Sequence, residues 1–464
     1  MDPVQFEVRH FDISPTVVPA GKKTTVTLKG HGGYHAFYDD LDYQVRIIPK
    51  EKRDYLINDD FNIDEYANEC NIVDAVCKDG VLSFEYTFEG EQEWAIALRC
   101  KNGEGDFLKY YNPWRVMFRR RWSLIDWNEF RYFFRLYSVE EDLYGLKPFK
   151  GDLHTHTDYS DGTDTPELFC GYYRGYGYDF IAITDHYEYD GSIRAIERMK
   201  ELDTGFKVFL GEEVHVIPSG GLFHIVNFNG KSSVNKKILA DYEGVKAEVF
   251  ELAKNFEGLS ERDSQELAWF KWITDEIRKV GGMPICAHPF DTINFAYNTP
   301  THITVEALKR GFFDAYELLN CSLPGANNQI ALYFDLLRQG LNIPAVGTTD
   351  SHGSTDHGMC HCANNSTVVF AKNAEAIPDA IRNMMCTAVS HQPDQRPVAY
   401  GSFRLVKYTC FLLENYFPLH NELCKASSVL QTEYFKGNTE LKPAIKAAEE
   451  RIAAYDKRFF GKEF

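Results

Sequence analysis

The sequence predicts an α/β chain: a βα barrel preceded by a small all-β, sandwich-like domain. Three observations carry that expectation. Up to about residue 145 the chain runs in short period-two segments separated by turn signals. Beyond that point apolar strand-like runs alternate with helical stretches, the pattern of a parallel sheet closed into a barrel. Histidines and carboxylates gather at the ends of those runs, on the face where barrels build their sites.

The first region, residues 1–145, holds "TTVTLKG", "YQVRIIP", "LSFEYTF", "EWAIALRC" and "WRVMFRR", punctuated by "GHGG", "KDG", "NGEGD" and "YNP". Several short strands at such spacing predict a β-sandwich-like domain. No His, Asp or Cys cluster stands there, so its expected role is to cover or stabilise the second domain. Residues 146–400 form the predicted barrel domain. Its strand-like runs end at "DFIAITDH", "FKVFLGEEV", "FHIVNFN", "MPICAHP", "DAYELLN" and "IPAVGTTDSH". Helices are expected between them. "TPELFCGYYRGYG" opens with Thr165 as cap and Pro166 at the first helical position. "QELAWFKWITDEIRKVGG" has an apolar stripe and a terminal Gly281, and "GANNQIALYFDLLRQG" and "AEAIPDAIRNMM" follow similar rules. Residues 401–464 read as C-terminal helices packed on the barrel.

The bounds agree with an enzyme-sized globular protein. A chain of 464 residues exceeds one ordinary core, and 44% apolar with 25% charged residues is ordinary composition. The start "MDPVQFEVRHF" lacks a basic stretch followed by an apolar one, so no signal peptide is expected. No apolar run is long enough to span a membrane. Eleven cysteines without regular spacing predict thiols in a reducing compartment, hence a cytoplasmic location. The net charge of −18 argues against a surface that tracks a nucleic-acid backbone, so long nucleic acid is not the expected partner. The one basic run, Arg119, Arg120 and Arg121, reads as a solvated strand end or a domain-interface patch.

The chemistry begins in "KGDLHTHTDYSDGTDTPE". A His-x-His pair in a strand puts both imidazoles on one face, which suits a metal and suits an apolar core badly. His154 and His156 end the first barrel run, and Asp161 follows in the loop. Asp185 and His186 end "FIAIT", Glu213 ends "VFLGE", His224 lies in "LFHIVNF", His288 ends "PICA", and Asp350 and His352 end "IPAVGTT". Singly, each has an ordinary reading. His224 or His288 alone would be a buried histidine, Asp161 in "SDG" a turn residue, and Asp185 a residue that orients His186. Together, at strand ends of one face, they form a mixture of imidazoles and carboxylates suited to Mn, Fe or Zn.

The same residues carry a family resemblance. His154-x-His156, "SDG" at 160–162, "TDH" at 184–186, "GEE" at 211–213, "AHP" at 287–289 and "TDSH" at 349–352 resemble the PHP (polymerase and histidinol phosphatase) family over about residues 149–392. The resemblance implies a distorted seven-stranded βα (TIM-like) barrel holding three divalent transition-metal ions. It implies His154, His156, Glu213 and Asp350 as ligands of the first ion, with Glu213 bridging to a second ion held by His224 and His288. Asp161, His186 and His352 would hold the third. Glu213 is preferred to Glu212 because the family pattern is Gly-x-Glu. The implied activity is hydrolysis of a phosphate ester of a small molecule (a sugar phosphate, nucleotide or nucleoside bisphosphate) by attack of a metal-bridging hydroxide. Three divalent ions set against Asp161, Glu213, Asp350 and one hydroxide leave a charge of about +2, complementary to a phosphate monoester dianion. Glu213, Asp350, His288 and His352 are the expected catalytic set. A binuclear amidohydrolase-type C–N hydrolase and a non-catalytic metal-binding regulatory module are the alternatives. Against the first stand the three residues available for a third ion; against the second stands the intact ligand set.

Weaker signals remain. Arg194, in "YEYDGSIRA", is placed to reach a substrate phosphate or else to be an ordinary helix-surface residue. Cys360 and Cys362 flank a histidine, with His357 nearby, but two cysteines do not complete a zinc site. Glu317 in "AYELL" either supports a ligand from behind or faces the solvated barrel mouth, and His391 is expected near the same face. The sequence does not determine an oligomeric state.

Overall fold

The computed structural model describes residues 11–31, 37–51, 71–100, 132–216, 223–293, 295–320, 325–354, 361–391 and 395–464. Arg119–Arg121, Cys360, His357 and the expected strand "WRVMFRR" lie outside them. The chain divides into two compact units. One comprises Met1–Leu146, Phe411–Leu419 and Ala453–Phe464; the other comprises Lys147–Cys410 and His420–Ile452. The C-terminal helices Phe403–Asn415, Phe417–Phe435 and Lys442–Phe460 therefore contribute residues to both units.

Among the described residues, the first unit carries eight strands: β1 (Phe11–Ser14), β2 (Val17–Pro19), β3 (Lys23–Gly30), β4 (Tyr43–Pro49), β5 (Asn71–Lys78), β6 (Val81–Thr87), β7 (Gln92–Cys100) and β8 (Tyr132–Val139). They pair in the order β1-β3-β6-β5-β4-β7-β8-β2. The sandwich-like expectation resolves into one continuous sheet that turns at β5. Residues Asn71–Ala75 of β5 pair with β4, and Val76–Lys78 pair with β6. Alternation is clearest in β3 and β6. Val26 and Leu28 of β3, Leu82 and Phe84 of β6, and Val45 and Ile47 of β4 point into a core that also takes Trp94, Ile96, Phe134 and Leu136. Trp94 Nε1 donates to Ser138 Oγ at 2.8 Å, so the one polar atom of that ring is paired inside the core.

The second unit holds two sheets. One runs through β9 (Lys147–Asp152), β10 (Phe180–Ala182) and β11 (Lys207–Phe209); the other contains β12 (Gly211–His215), β13 (His224–Phe228) and β14 (Met283–Cys286). A small hairpin pairs β15 (Thr292–Ile293) with β16 (Ala296–Tyr297). β17 (Ala315–Leu319) and β18 (Ala345–Gly347) extend the second sheet, and β19 (Asn365–Ala371), β20 (Cys386–Ser390) and β21 (Val398–Tyr400) extend the first. The orders are β11-β10-β9-β19-β20-β21 and β12-β13-β14-β17-β18. Two isolated parallel bridges, Thr155↔Ser351 and His186↔Glu213, join one sheet to the other.

An all-parallel arrangement is not what forms. β9/β10, β10/β11, β14/β17 and β17/β18 are parallel, whereas β12/β13, β13/β14, β9/β19 and β19/β20 are antiparallel. For β12/β13 the reason is connection length. Only residues 216–223 join β12 to β13, and a parallel crossover needs about a dozen or more. The sheets close over Phe149, Leu153, Phe180, Val226, Ile285, Ala315, Val346 and Val369. Among the helices, Pro166–Gly175 starts after Thr165 as expected, though the Thr165 side chain makes no cap hydrogen bond; Glu261–Lys279 starts four residues before the expected Gln265, capped by Ser260 Oγ, which accepts from Asp263 N. None of the described helices is long and apolar enough to cross a membrane.

A buried charged cluster anchors the helix Pro166–Gly175 away from the strand ends. Arg174 Nη2 meets Glu449 Oε2 at 2.7 Å, and its Nη1 meets Asp179 Oδ1 at 3.2 Å. His420 Nε2 lies 3.2 Å from the same Asp179 oxygen, and Ser427 Oγ donates to Glu449 at 2.7 Å.

Candidate metal centre

β9 ends at Asp152, and the chain continues extended past it, held by His156 N to Ser351 O and Thr184 N to Thr155 O. That extension presents His154 and His156 side by side, their Nε2 atoms 3.2 Å apart. Both nitrogens face the same two carboxylates. His154 Nε2 lies 3.1 Å from Glu213 Oε2 and 3.3 Å from Asp350 Oδ1; His156 Nε2 lies 3.3 and 3.0 Å from the same two oxygens.

Glu213 sits in the middle of β12, and period two separates its role from that of Glu212. Glu212 faces the other way, accepting from Asn227 Nδ2, Ser233 Oγ and Val234 N. Glu213 Oε1 lies 2.7 Å from His224 Nδ1 and 3.0 Å from His288 Nε2. His224 is at the start of its strand, not the end. It reaches this rim because β13 runs antiparallel to β12, with His215 and His224 in register. A third gathering lies further out. Asp161 Oδ2 is 3.4 Å from His352 Nε2 and 3.6 Å from His186 Nε2, while His186 Nδ1 is 3.1 Å from Glu213 Oε2. Gly162 is required beside Asp161, because a Cβ there would stand 2.5 Å from the His156 carbonyl oxygen.

All nine residues singled out from the sequence thus converge. Three groups whose donor atoms lie within 4.8 Å of one another are His154–His156–Glu213–Asp350, Glu213–His224–His288 and His156–Asp161–His186–His352. Imidazole nitrogen and carboxylate oxygen are the donor set of a divalent transition metal. The hydrogen bonding fits such an occupant: His186 Nδ1, His224 Nδ1, His288 Nδ1 and Glu213 Oε2 are buried without a hydrogen-bond partner. Groups left so cost free energy unless something coordinates them.

Electrostatics point the same way. Burial raises Glu213 and Asp350, but the surrounding histidines outweigh it and hold both carboxyls well below the usual range. Burial lowers His156 and His288, yet Asp350 and Glu213 overcome it and push them to about 10 and about 9. The carboxylates are therefore ionised, and His156 and His288 hold protons that a bound cation would displace. Two residues of the site take left-handed backbone conformations. Asp350 has φ +53° and Tyr187, next to His186, has φ +57°, left-handed conformations unusual for residues with a side chain.

Other sequence signals find their places. Asp185 is in none of the metal-competent groups among the described residues. Its carboxylate accepts from Thr157 N, Thr157 Oγ1 and Ser160 Oγ, so it ties down the loop that carries Asp161. Glu317 is fully buried behind the cluster, 2.7 Å from His154 Nδ1, and accepts from His288 N and Thr348 Oγ1. It backs His154 and His288, with which it forms a further metal-competent group, and does not face solvent. Arg194 stands 3.0 Å from Glu167, outside the cluster. His391 pairs with Ser366 Oγ at 2.9 Å, and burial pushes it down to about 3. Cys362 is buried, its thiol raised to about 12 by desolvation.

Two residues were missed by sequence reasoning. Asp152 is fully buried, accepting from Thr349 Oγ1 and Tyr173, and so fastens β9 to the "TDSH" segment. His215 belongs to a further group with His186 and Glu213. Its spacing of two from Glu213 within a strand was the available signal.

The PHP domain family matches residues 152–276. A curated relative, the DNA polymerase/3'-5' exonuclease PolX of Bacillus subtilis, is 33% identical over 98 residues, which cover 18% of this chain and 17% of that protein. The chain therefore spans about a sixth of that relative's length. A two-domain protein from Bacteroides vulgatus, described as containing a predicted PHP-like metal-dependent phosphoesterase, is similar at 20% identity and TM-score 0.37, over 54% of this chain and 66% of that one. A putative metal-dependent phosphoesterase from Bifidobacterium adolescentis gives 18% and 0.34, over 45% and 89%. An amidohydrolase from Chromobacterium violaceum gives 17% and 0.32, over 45% and 89%.

Proposed function

With the PHP match as premise, we propose that this chain is a hydrolase that cleaves a phosphate monoester of a small molecule with the help of three divalent transition-metal ions. The observation that carries the reading is the set of nine convergent imidazoles and carboxylates with buried, unpartnered donor atoms among them. We read β9, β10, β12, β13, β14, β17 and β18, taken in turn through their pairings and the two isolated bridges, as a distorted seven-stranded barrel with the cluster at its rim.

His154, His156, Glu213 and Asp350 would hold the first ion, Glu213, His224 and His288 the second, and Asp161, His186 and His352 the third. When bound, the ions supply an activated water and neutralise charge on the phosphoryl oxygens. The chain's own part is positioning. Glu317 fixes the His154 ring through Nδ1 and so aims Nε2 at the ion. Asp185 holds the loop that presents Asp161. Side-chain exposure rises from 0% at His154, His156 and Glu213 to 31% at His352 and 55% at Asp161. A substrate entering from solvent meets the Asp161–His352 side first. The acidic chain favours a small substrate over long nucleic acid.

The test is a screen of phosphorylated metabolites and a generic aryl phosphate with metal-reconstituted protein. Release of inorganic phosphate that depends on added Mn, Fe or Zn is the expected result. Turnover of amide or cyclic C–N substrates with about two ions bound, and none of phosphate esters, would transfer the assignment to a C–N hydrolase.

A further inference from the structure

His215 is not among the nine, yet it is built into the same wall. It lies two residues beyond Glu213 on β12, so strand geometry places both side chains on one face. Its ring stacks on that of His224, its register partner, with centroids 3.9 Å apart and planes at 19°. It meets the His186 ring edge-on at 4.2 Å. One nitrogen is committed: Nδ1 and the Tyr187 hydroxyl are 2.8 Å apart. The other, Nε2, is buried without a hydrogen-bond partner and stands 4.0 Å from Glu213 Oε2. His186, Glu213 and His215 each offer one donor atom within 4.8 Å of the others.

We propose that His215 is a tenth metal-binding residue of this centre. It donates Nε2 to an ion that Glu213 also holds, and Tyr187 fixes the ring. In this arrangement Nδ1 carries the proton and donates it to the Tyr187 oxygen, which leaves the Nε2 lone pair free for the ion. An imidazole held through one nitrogen and open at the other is how histidine ligands are oriented. The left-handed backbone of Tyr187, φ +57°, carries its hydroxyl to His215 from the residue that follows His186. One strained turn therefore sets two neighbours at once.

The inference rests on the metal-centre reading, and its test is made without substrate. Full-length wild type, His215→Ala, His215→Gln and Tyr187→Phe would be stripped with chelator and titrated with Co²⁺ and Zn²⁺. Bound ions are counted by elemental analysis, affinities are read by competition with a chromogenic chelator, and the Co²⁺ absorption spectrum reports the ligand field. The expected result is one ion bound at least ~100-fold more weakly in both His215 variants, with an altered Co²⁺ spectrum. Tyr187→Phe should weaken the same ion ~10-fold, the range for a residue behind a ligand. Wild type that binds no metal would overturn both this inference and the proposed function. Wild type that loads fully, beside His215 variants with unchanged stoichiometry, affinity and spectrum, overturns the inference alone, even if turnover falls. Should the His215 variants not fold, as judged by melting of the metal-free forms, Tyr187→Phe decides: unchanged affinity and spectrum overturn it.

Discussion

Two charged clusters are buried in the second unit, and they are built in opposite ways. Around Arg174 each charge faces its counter-charge: Glu449 and Asp179 take the guanidinium, and His420 takes Asp179 from the other side. Around Glu213 one carboxylate is approached by His154, His156, His186, His215, His224 and His288, and several of its buried donor atoms make no hydrogen bond. Glu213 and Arg174, the residues at the two centres, are both hidden from water. The difference teaches that burial of charge alone says little about function. The chain completes the first cluster itself, whereas the second presents surplus donors of the type that bind a metal.

The largest effect that could break this comparison is on stability. Arg174→Ala leaves Asp179 and Glu449 buried with less opposing charge and should cost ~3–5 kcal/mol in urea unfolding of the metal-free protein. If it costs less than ~1 kcal/mol, the cluster is not self-completing as described. The converse substitution is Asp161→Ala combined with His352→Ala, two partly exposed residues. Metal-free stability should then change by no more than ~1 kcal/mol, while about one bound ion and ~100-fold of the phosphatase turnover are lost, equivalent to ~2.7 kcal/mol. Full turnover in that variant would remove the third ion from catalysis.

Smaller effects sharpen the contrast. Glu317→Gln keeps the shape behind His154 but removes the negative charge, and should weaken metal binding ~10–100-fold with little change in melting of the metal-free protein. Equal affinity by chelator competition would reduce Glu317 to a packing residue. The most gradual effect is pH dependence in the Arg174 cluster. Burial disfavours the His420 imidazolium, but Cys424 and Asp179 outweigh it and raise the group to about 10. A raised pKa contributes stability that is fully present below the unfolded value near 6.5 and is lost as pH climbs toward 10. Stability should therefore fall across that window with a slope of at most ~1.4 kcal/mol per pH unit from this group, and His420→Asn should flatten it. A profile unchanged by the substitution would mean that His420 is neutral.

Much of the centre was legible in the sequence because metal-ligand chemistry is written in residue types at strand ends. His154, His156, His186, His288, Asp350 and His352 all follow the ends of short apolar runs, and a strand end is a local property. Glu317 was readable only as one of two alternatives, since facing solvent or backing a ligand depends on what stands opposite it. His215 and Asp152 went unmarked because neither belongs to a recognisable motif. Asp185 was visible, but its partners Thr157 and Ser160 lie across a turn whose path the sequence does not state.

By itself the sequence determined the element types, the change of character near residue 145 and the list of nine donors. Each follows from local hydrophobic period, capping residues or side-chain chemistry. Tertiary structure decided the rest. It turned the N-terminal strands into one sheet bent at β5, made β12 and β13 antiparallel neighbours, and assigned residues 411–419 and 453–464 to the first unit while 420–452 went to the second. The physical reason is that strand direction, register and the choice of packing partner depend on connection length and on burial shared between distant segments. Those quantities belong to pairs of segments, and no single stretch of sequence contains them.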